Sequence, residues 1–127
     1  MLKGSCLCGS VRFSATSTAR EPAACHCTQC RKQSGHHWAS VNVQSDGFDC
    51  AGDVTWFAAS TFAKRGFCPT CGSFLFWKSH SEDEIGIALG ALDGATGLHL
   101  ERHIFTADKG DYYEIPGNGR QEENENE

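Results

Sequence analysis

Cys25-His26-Cys27-Thr28-Gln29-Cys30 places three thiols within six residues. Two cysteine pairs flank it, Cys6-Leu7-Cys8 and Cys68-Pro69-Thr70-Cys71. Structural zinc takes four ligands in a tetrahedron, whereas catalytic zinc takes three from the protein and keeps a position open. How these seven cysteines divide therefore decides both fold and function. Joining Cys6 and Cys8 to Cys68 and Cys71 gives a four-cysteine set that ties together segments about sixty residues apart. Such a site couples metal binding to folding, because the unfolded chain holds no preformed ligand cage. Cys25, Cys27 and Cys30 then remain one ligand short, with Cys50 and the six histidines as residues that could complete them.

Local patterns place these cysteines on strands and turns. Val11-Arg12-Phe13-Ser14-Ala15 alternates apolar and polar, as a half-buried strand does. An extended path through Cys6 and Cys8 puts both on one face, and the same holds for Cys25 and Cys27. His26, between the latter two, then faces away from the metal, as a surface residue or a neighbour supporting the ligands. Residues 28–32 read as a turn or short helix that returns Cys30 to the same centre, with Gly35 ending it. Pro69 and Gly72 suit the tight turn of a zinc knuckle, whose amides hydrogen-bond thiolates. Further strands are expected over residues 37–43, 54–58, 74–77, 84–89 and 98–105, with Gly- and Asp-rich turns between them. Cys50 reads as a lone thiol in a turn-rich stretch. No long helical periodicity, repeat or linker occurs. The expected architecture is one mainly β domain over residues 1–116, of short antiparallel strands clamped by metal, with residues 117–127 as an acidic, disordered tail.

Composition sets the context. Eight cysteines in 127 residues, with no apolar leader after Met1 and no run near the ~20 residues that cross a bilayer, point to a reducing, cytoplasmic setting without a membrane partner. There, clustered cysteines read as metal ligands. The contrasting reading is a secreted domain stapled by disulfides, which these short spacings suit less well. A net charge of −5 argues against a nucleic-acid surface. Among the cations near the cysteine motifs, Arg31, Lys32, Lys64 and Arg65 read mainly as solvated surface charges, with Arg31 the best candidate for a substrate contact. Two other divisions of the cysteines stay open: every cluster structural, with Cys50 or a histidine completing the second, or a redox-active triple without resident zinc.

Gly-Ser-Cys-x-Cys-Gly-x-Val at 4–11, Cys-His-Cys-x-x-Cys-Arg-Lys at 25–32 and Phe-Cys-x-x-Cys-Gly-Ser-x-Leu at 67–75 occur in that order. Together with His103-Ile104-Phe105 and the Tyr113-Glu114-Ile115-Pro116 ending, this set resembles the family of glutathione-dependent formaldehyde-activating enzymes and centromere protein V. The resemblance implies a zinc-clamped β-tent fold. It implies a structural zinc on Cys6, Cys8, Cys68 and Cys71, and a second, catalytic zinc on Cys25, Cys27 and Cys30. It also implies a carbon–sulfur lyase-type activity on a glutathione or other thiol adduct of a small aldehyde such as formaldehyde. Cys50 matches no family role. The contrasting functions are a non-catalytic, zinc-stabilised protein-binding module and a metal or redox sensor. The sequence leaves the oligomeric state open.

Overall fold

The computed structural model describes residues 1–117 and 119–124. Eleven short strands and one helix make up the regular structure there: β1 (Leu2–Ser5), β2 (Arg12–Ala15), β3 (Arg20–Cys25), α1 (Thr28–Ser34), β4 (Trp38–Gln44), β5 (Phe48–Ala51), β6 (Thr55–Phe57), β7 (Ala63–Phe67), β8 (Phe74–Ser79), β9 (Glu84–Ala88), β10 (Arg102–Ile104) and β11 (Arg120–Gln121). They form a three-stranded sheet in the order β1-β2-β5 and an eight-stranded sheet in the order β11-β10-β3-β4-β9-β8-β7-β6. The fold is mainly β, as the sequence predicts. Pairing is antiparallel except at β10, which runs parallel to both β3 and β11. Among the described residues, no helix is long and apolar enough to cross a membrane.

The core lies where the inward residues of the two sheets meet. Val11, Phe13 and Ala15 alternate inward from β2 and its approach, as their sequence period requires. They meet Val41 and Val43 of β4, Leu75 and Phe76 of β8, and Ile85 and Ile87 of β9. Phe13 packs edge-on against Phe76, with ring centroids 5.2 Å apart. Cys6 and Cys68 belong to this same buried cluster, so the metal-type cysteines continue the core rather than decorate it.

Three local expectations change. Cys6 and Cys8 lie in the turn between β1 and β2 instead of an extended strand. The turn is closed by Cys6 N–H to Val11 O at 3.0 Å and Gly9 N–H to Cys6 O at 3.1 Å. Both thiols still converge, because a knuckle curls around its ligand site. Residues 48–51, read as turn-rich, form β5 and pair with β2, so Cys50 stands opposite Phe13 as an exposed edge residue. Residues 117–127 are not wholly a tail in solution. Arg120–Gln121 extends the sheet beside β10, and Glu122 receives the buried Arg102 guanidinium at 2.9 Å. A buried arginine requires carboxylate partners, which draws this acidic segment inward. The rest of the expected tail, at 118 and 125–127, lies outside the described residues.

Candidate metal centres

The β1–β2 turn and the β7–β8 turn bring four cysteines to one point. The Sγ atoms of Cys6, Cys8, Cys68 and Cys71 all lie within 4.8 Å of one another. Cys6 and Cys8 sulfurs are 3.6 Å apart, and Cys8 and Cys68 sulfurs 3.8 Å. A tetrahedron with Zn–S bonds of about 2.3 Å has edges of about 3.8 Å, so the donor set and its spacing fit zinc. Backbone amides support the sulfurs as knuckles do: Val11 N–H donates to Cys6 Sγ at 3.3 Å, and Cys71 N–H to Cys68 Sγ at 3.5 Å. Two serines add to this. Ser10 Oγ lies 3.1 Å from Cys8 Sγ and 3.3 Å from Cys68 Sγ, while Ser73 Oγ lies 3.2 Å from Cys71 Sγ. Hydrogen bonding by Ser73 lowers the Cys71 thiol to about 5, which favours the thiolate a metal needs. The sequence offered no separate signal for the serines beyond their closeness to the motifs.

The second cluster is built by the end of β3 and the start of α1. The Sγ atoms of Cys25, Cys27 and Cys30 also lie within 4.8 Å of one another. Cys27 caps α1: its backbone is extended, and its sulfur accepts the Cys30 N–H at 3.3 Å. Gly35 closes the helix in the left-handed conformation, with φ of 90°, returning its N–H to Arg31 O. Crowding of the three thiols separates their acidities. Hydrogen bonds from Cys25 and then Cys30 lower Cys27 to about 2, while hydrogen bonds with Cys27 and Cys30, and then burial, push Cys25 up. Hydrogen bonding with Cys25 lowers Cys30, but Cys27, burial and the Cys27 charge outweigh it and push Cys30 up to about 11. Unaided, the trio shares few negative charges; a dication at its centre is what would ionise all three.

The second cluster offers three candidate ligands where the first offers four. Among the described residues, no fourth cysteine, histidine or carboxylate joins the group. Cys50 sits on β5, outside both clusters. His36 and His37 turn toward aromatic neighbours instead, with His36 packed edge-on to Tyr113 at 4.4 Å and His37 tilted against His26 at 5.1 Å. All eight cysteines are free thiols, and no disulfide staples the fold.

Behind the second cluster lies a buried polar network. His26 faces away from the sulfurs, as its place between two ligands requires, but it is not at the surface: only 1% of it is exposed. Its Nδ1 is 2.6 Å from the Tyr113 hydroxyl and its Nε2 is 3.1 Å from His103 Nδ1. Burial, followed by the nearby His37 and His103 charges, lowers His26 to about 4 and keeps the ring neutral. Arg65 departs from its sequence reading. Read as a solvated charge, it is 5% exposed, with Nη1 3.5 Å from Cys30 Sγ and 3.3 Å from Gln33 Oε1. Alternation along β7 was the available signal, since Ala63 and Arg65 share a buried face. Arg31 is half-buried on α1, and its Nε is buried without a hydrogen-bond partner.

A cleft of about 660 Å³ is lined by Cys6 of the first cluster and reaches the second only through residues that pack against it, since Cys25, Cys27 and Cys30 are not among its walls. Trp38 and Phe74, stacked with centroids 4.1 Å apart, line the cleft and also pack against the Cys25–Cys30 cluster. His37, Asp93 and Cys6 are its titratable side chains, and Ser73 also lines it.

A Schizosaccharomyces pombe protein named as an uncharacterized lyase is 25% identical over 115 residues, covering 89% of this chain and 84% of its own. A Rhodobacter sphaeroides protein of known crystal structure is similar in fold, with a TM-score of 0.61 and 27% identity, over 75% of this chain and 91% of that one. The sequence model described as glutathione-dependent formaldehyde-activating enzyme matches residues 1–108, a span that contains both cysteine clusters, and the chain belongs to that family.

Proposed function

We propose that this chain is a zinc-dependent carbon–sulfur lyase-type enzyme that makes or breaks the bond between a thiol, such as glutathione, and a small aldehyde, such as formaldehyde. The observation that carries this reading is the contrast between the clusters: four converging thiols at Cys6, Cys8, Cys68 and Cys71, against three at Cys25, Cys27 and Cys30. The first set suits a closed, structural zinc and the second a zinc with room for substrate. Zinc in the second set would bind an incoming thiol and hold it as thiolate at neutral pH.

The residues around the second cluster have matching tasks. Cys25, Cys27 and Cys30 hold the ion, and the amide of Cys30 fixes the Cys27 sulfur. Trp38 and Phe74 wall the neighbouring cleft, whose volume of about 660 Å³ would admit a tripeptide-sized thiol. Arg31, half-buried on α1 directly after Cys30, is the cation assigned to a substrate carboxylate. Eight free thiols suit a reducing, cytoplasmic compartment.

The test is metal content joined to turnover. The wild type should hold two zinc ions, and exchange of formaldehyde into its glutathione adduct, followed by isotope-exchange NMR, should depend on the more labile one. Cys30→Ser should lose that ion, keep the fold and slow exchange roughly 10–100-fold or more. Full exchange in a folded Cys30→Ser would overturn the catalytic assignment. A protein-binding module is the second reading, favoured by Phe57 at the end of β6 and Phe62 in the loop after it, 59% and 77% exposed. It expects two equally tight zinc ions and no exchange activity.

A further inference from the structure

We propose that Arg65 is the charge-balancing residue of the Cys25/Cys27/Cys30 centre, which lets a metal ion there accept an anionic thiolate as its fourth ligand. The part concerning the incoming thiolate rests on the functional reading above; the part concerning the charge of the centre does not.

Arg65 is a permanent cation in a buried position, since guanidinium does not lose its proton in proteins. A buried charge is costly unless another charge or a hydrogen-bond set compensates it. Among the described residues no carboxylate forms an ion pair with Arg65. Its partners are Cys30 Sγ at 3.5 Å, the neutral Gln33 Oε1 at 3.3 Å, and the face of Phe74, 5.5 Å from its Cζ. The only one of these that can carry negative charge is the sulfur. Arg102 makes the contrast: it is similarly buried but holds Glu122 and Glu21. The compensating charge for Arg65 is therefore the thiolate cluster itself.

The arrangement is specific in its geometry. Cys30 and Gln33 stand three residues apart on α1, hence on one helical face, and both side chains meet Arg65 of β7. Gln33 accepts from the same nitrogen that reaches Cys30, which fixes the guanidinium over the sulfur. Three thiolates on a divalent ion leave one net negative charge, which Arg65 cancels. A fourth, anionic sulfur then brings the centre back to a single negative charge. Without Arg65 the same ligand would make two charges in a poorly solvated site, which opposes its binding.

The test uses the full-length protein loaded with zinc or cobalt. Arg65→Gln should release metal from the second centre to a competing chelator on the order of 10–100-fold more readily than the wild type, while the first centre keeps its ion. Cobalt absorption titrated with glutathione should show thiol affinity at the second centre falling by a similar factor. Arg65→Lys keeps the charge but not the planar fork, and should bind metal more tightly than Arg65→Gln and less tightly than the wild type, a partial rescue that a merely space-filling role would not give. Should Arg65→Gln fail to fold, Arg65→Met fills the volume without leaving a polar group buried, and should show the same loosening. Unchanged metal affinity in the folded neutral variant overturns the proposal. If the wild-type centre binds cobalt but no thiol, the thiolate part and the functional reading fall together, and the chelator measurement decides the charge role by itself.

Discussion

Gly4 has no room for a side chain. A Cβ at this position would overlap the Ala91 carbonyl oxygen and Phe13 Cζ, because β1 passes directly under residues 91 and 92. The carbonyl belongs to the backbone and cannot rotate away. Gly4→Ala should therefore cost roughly 1–3 kcal/mol, the usual range for overpacking. It would be read as a lower urea midpoint of the zinc-loaded protein, and an unchanged midpoint would mean that β1 shifts freely. Tyr113→Phe is a milder change, removing one short hydrogen bond to His26 and about 1 kcal/mol. Residue by residue, the sequence was most informative about ligands and least informative about charges. The seven cysteines are legible because metal spacing is local, while the fate of Arg65 depends on sulfurs 35 and more residues away. His26 shows both halves of this: its direction followed from strand geometry, but its burial depends on Tyr113 and His103, 87 and 77 residues distant.

At the scale of elements, α1 is the one that a metal on the second cluster would support most. Seven residues are too few for a stable helix in isolation, and its first turn carries no acidic side chain to meet the helix dipole. Its cap is the Cys27 sulfur and its one buried residue is Cys30, so both anchors belong to the candidate metal cluster. Removing only the more labile metal should accelerate amide exchange over residues 28–34 by about tenfold or more, since loss of a cap and an anchor costs ~1–2 kcal/mol. The amides of β4 and β9 should stay protected, because their pairing lies in the core. Hydrogen exchange read by mass spectrometry separates these segments. Equal acceleration everywhere would show that the second centre supports the whole fold. Three of the strands that the sequence missed, β1, β5 and β7, share a cause. Lys3, Asp49, Lys64 and Arg65 interrupt their apolar alternation, and their pairing is set by neighbouring strands instead of their own pattern. By contrast β2, β4, β8 and β9 carry the core and were visible as alternation or apolar runs.

For the whole molecule, the cluster of Cys6, Cys8, Cys68 and Cys71 joins the turn of the small sheet to a turn of the large one. The two sheets share a core, but this is also where their backbones are tied. Structural zinc contributes on the order of 10 kcal/mol in small domains, comparable with an entire domain's stability. Cys68→Ser should therefore prevent folding at 37 °C, as seen by circular dichroism, where Cys30→Ser leaves the sheets intact. At the opposite edge a second clamp is ionic. Arg102 on β10 is buried, and Glu122 meets it through Nε at 2.9 Å and Nη2 at 3.4 Å. Glu21 reaches it at 3.4 Å from a half-exposed position. Breaking a buried pair by removing one partner leaves the other charge uncompensated, whereas a half-exposed partner is screened by water. Glu122→Ala should thus cost about 1–3 kcal/mol, less than a fully orphaned charge because Glu21 remains. Glu21→Ala should cost less than about 1 kcal/mol. Deleting the chain after residue 117 should match Glu122→Ala or exceed it, since β11 is lost as well. Urea midpoints of the three proteins test the order. If the truncated chain is as stable as the full one, Glu122 does not hold Arg102, and residues 119–124 add nothing to the sheet.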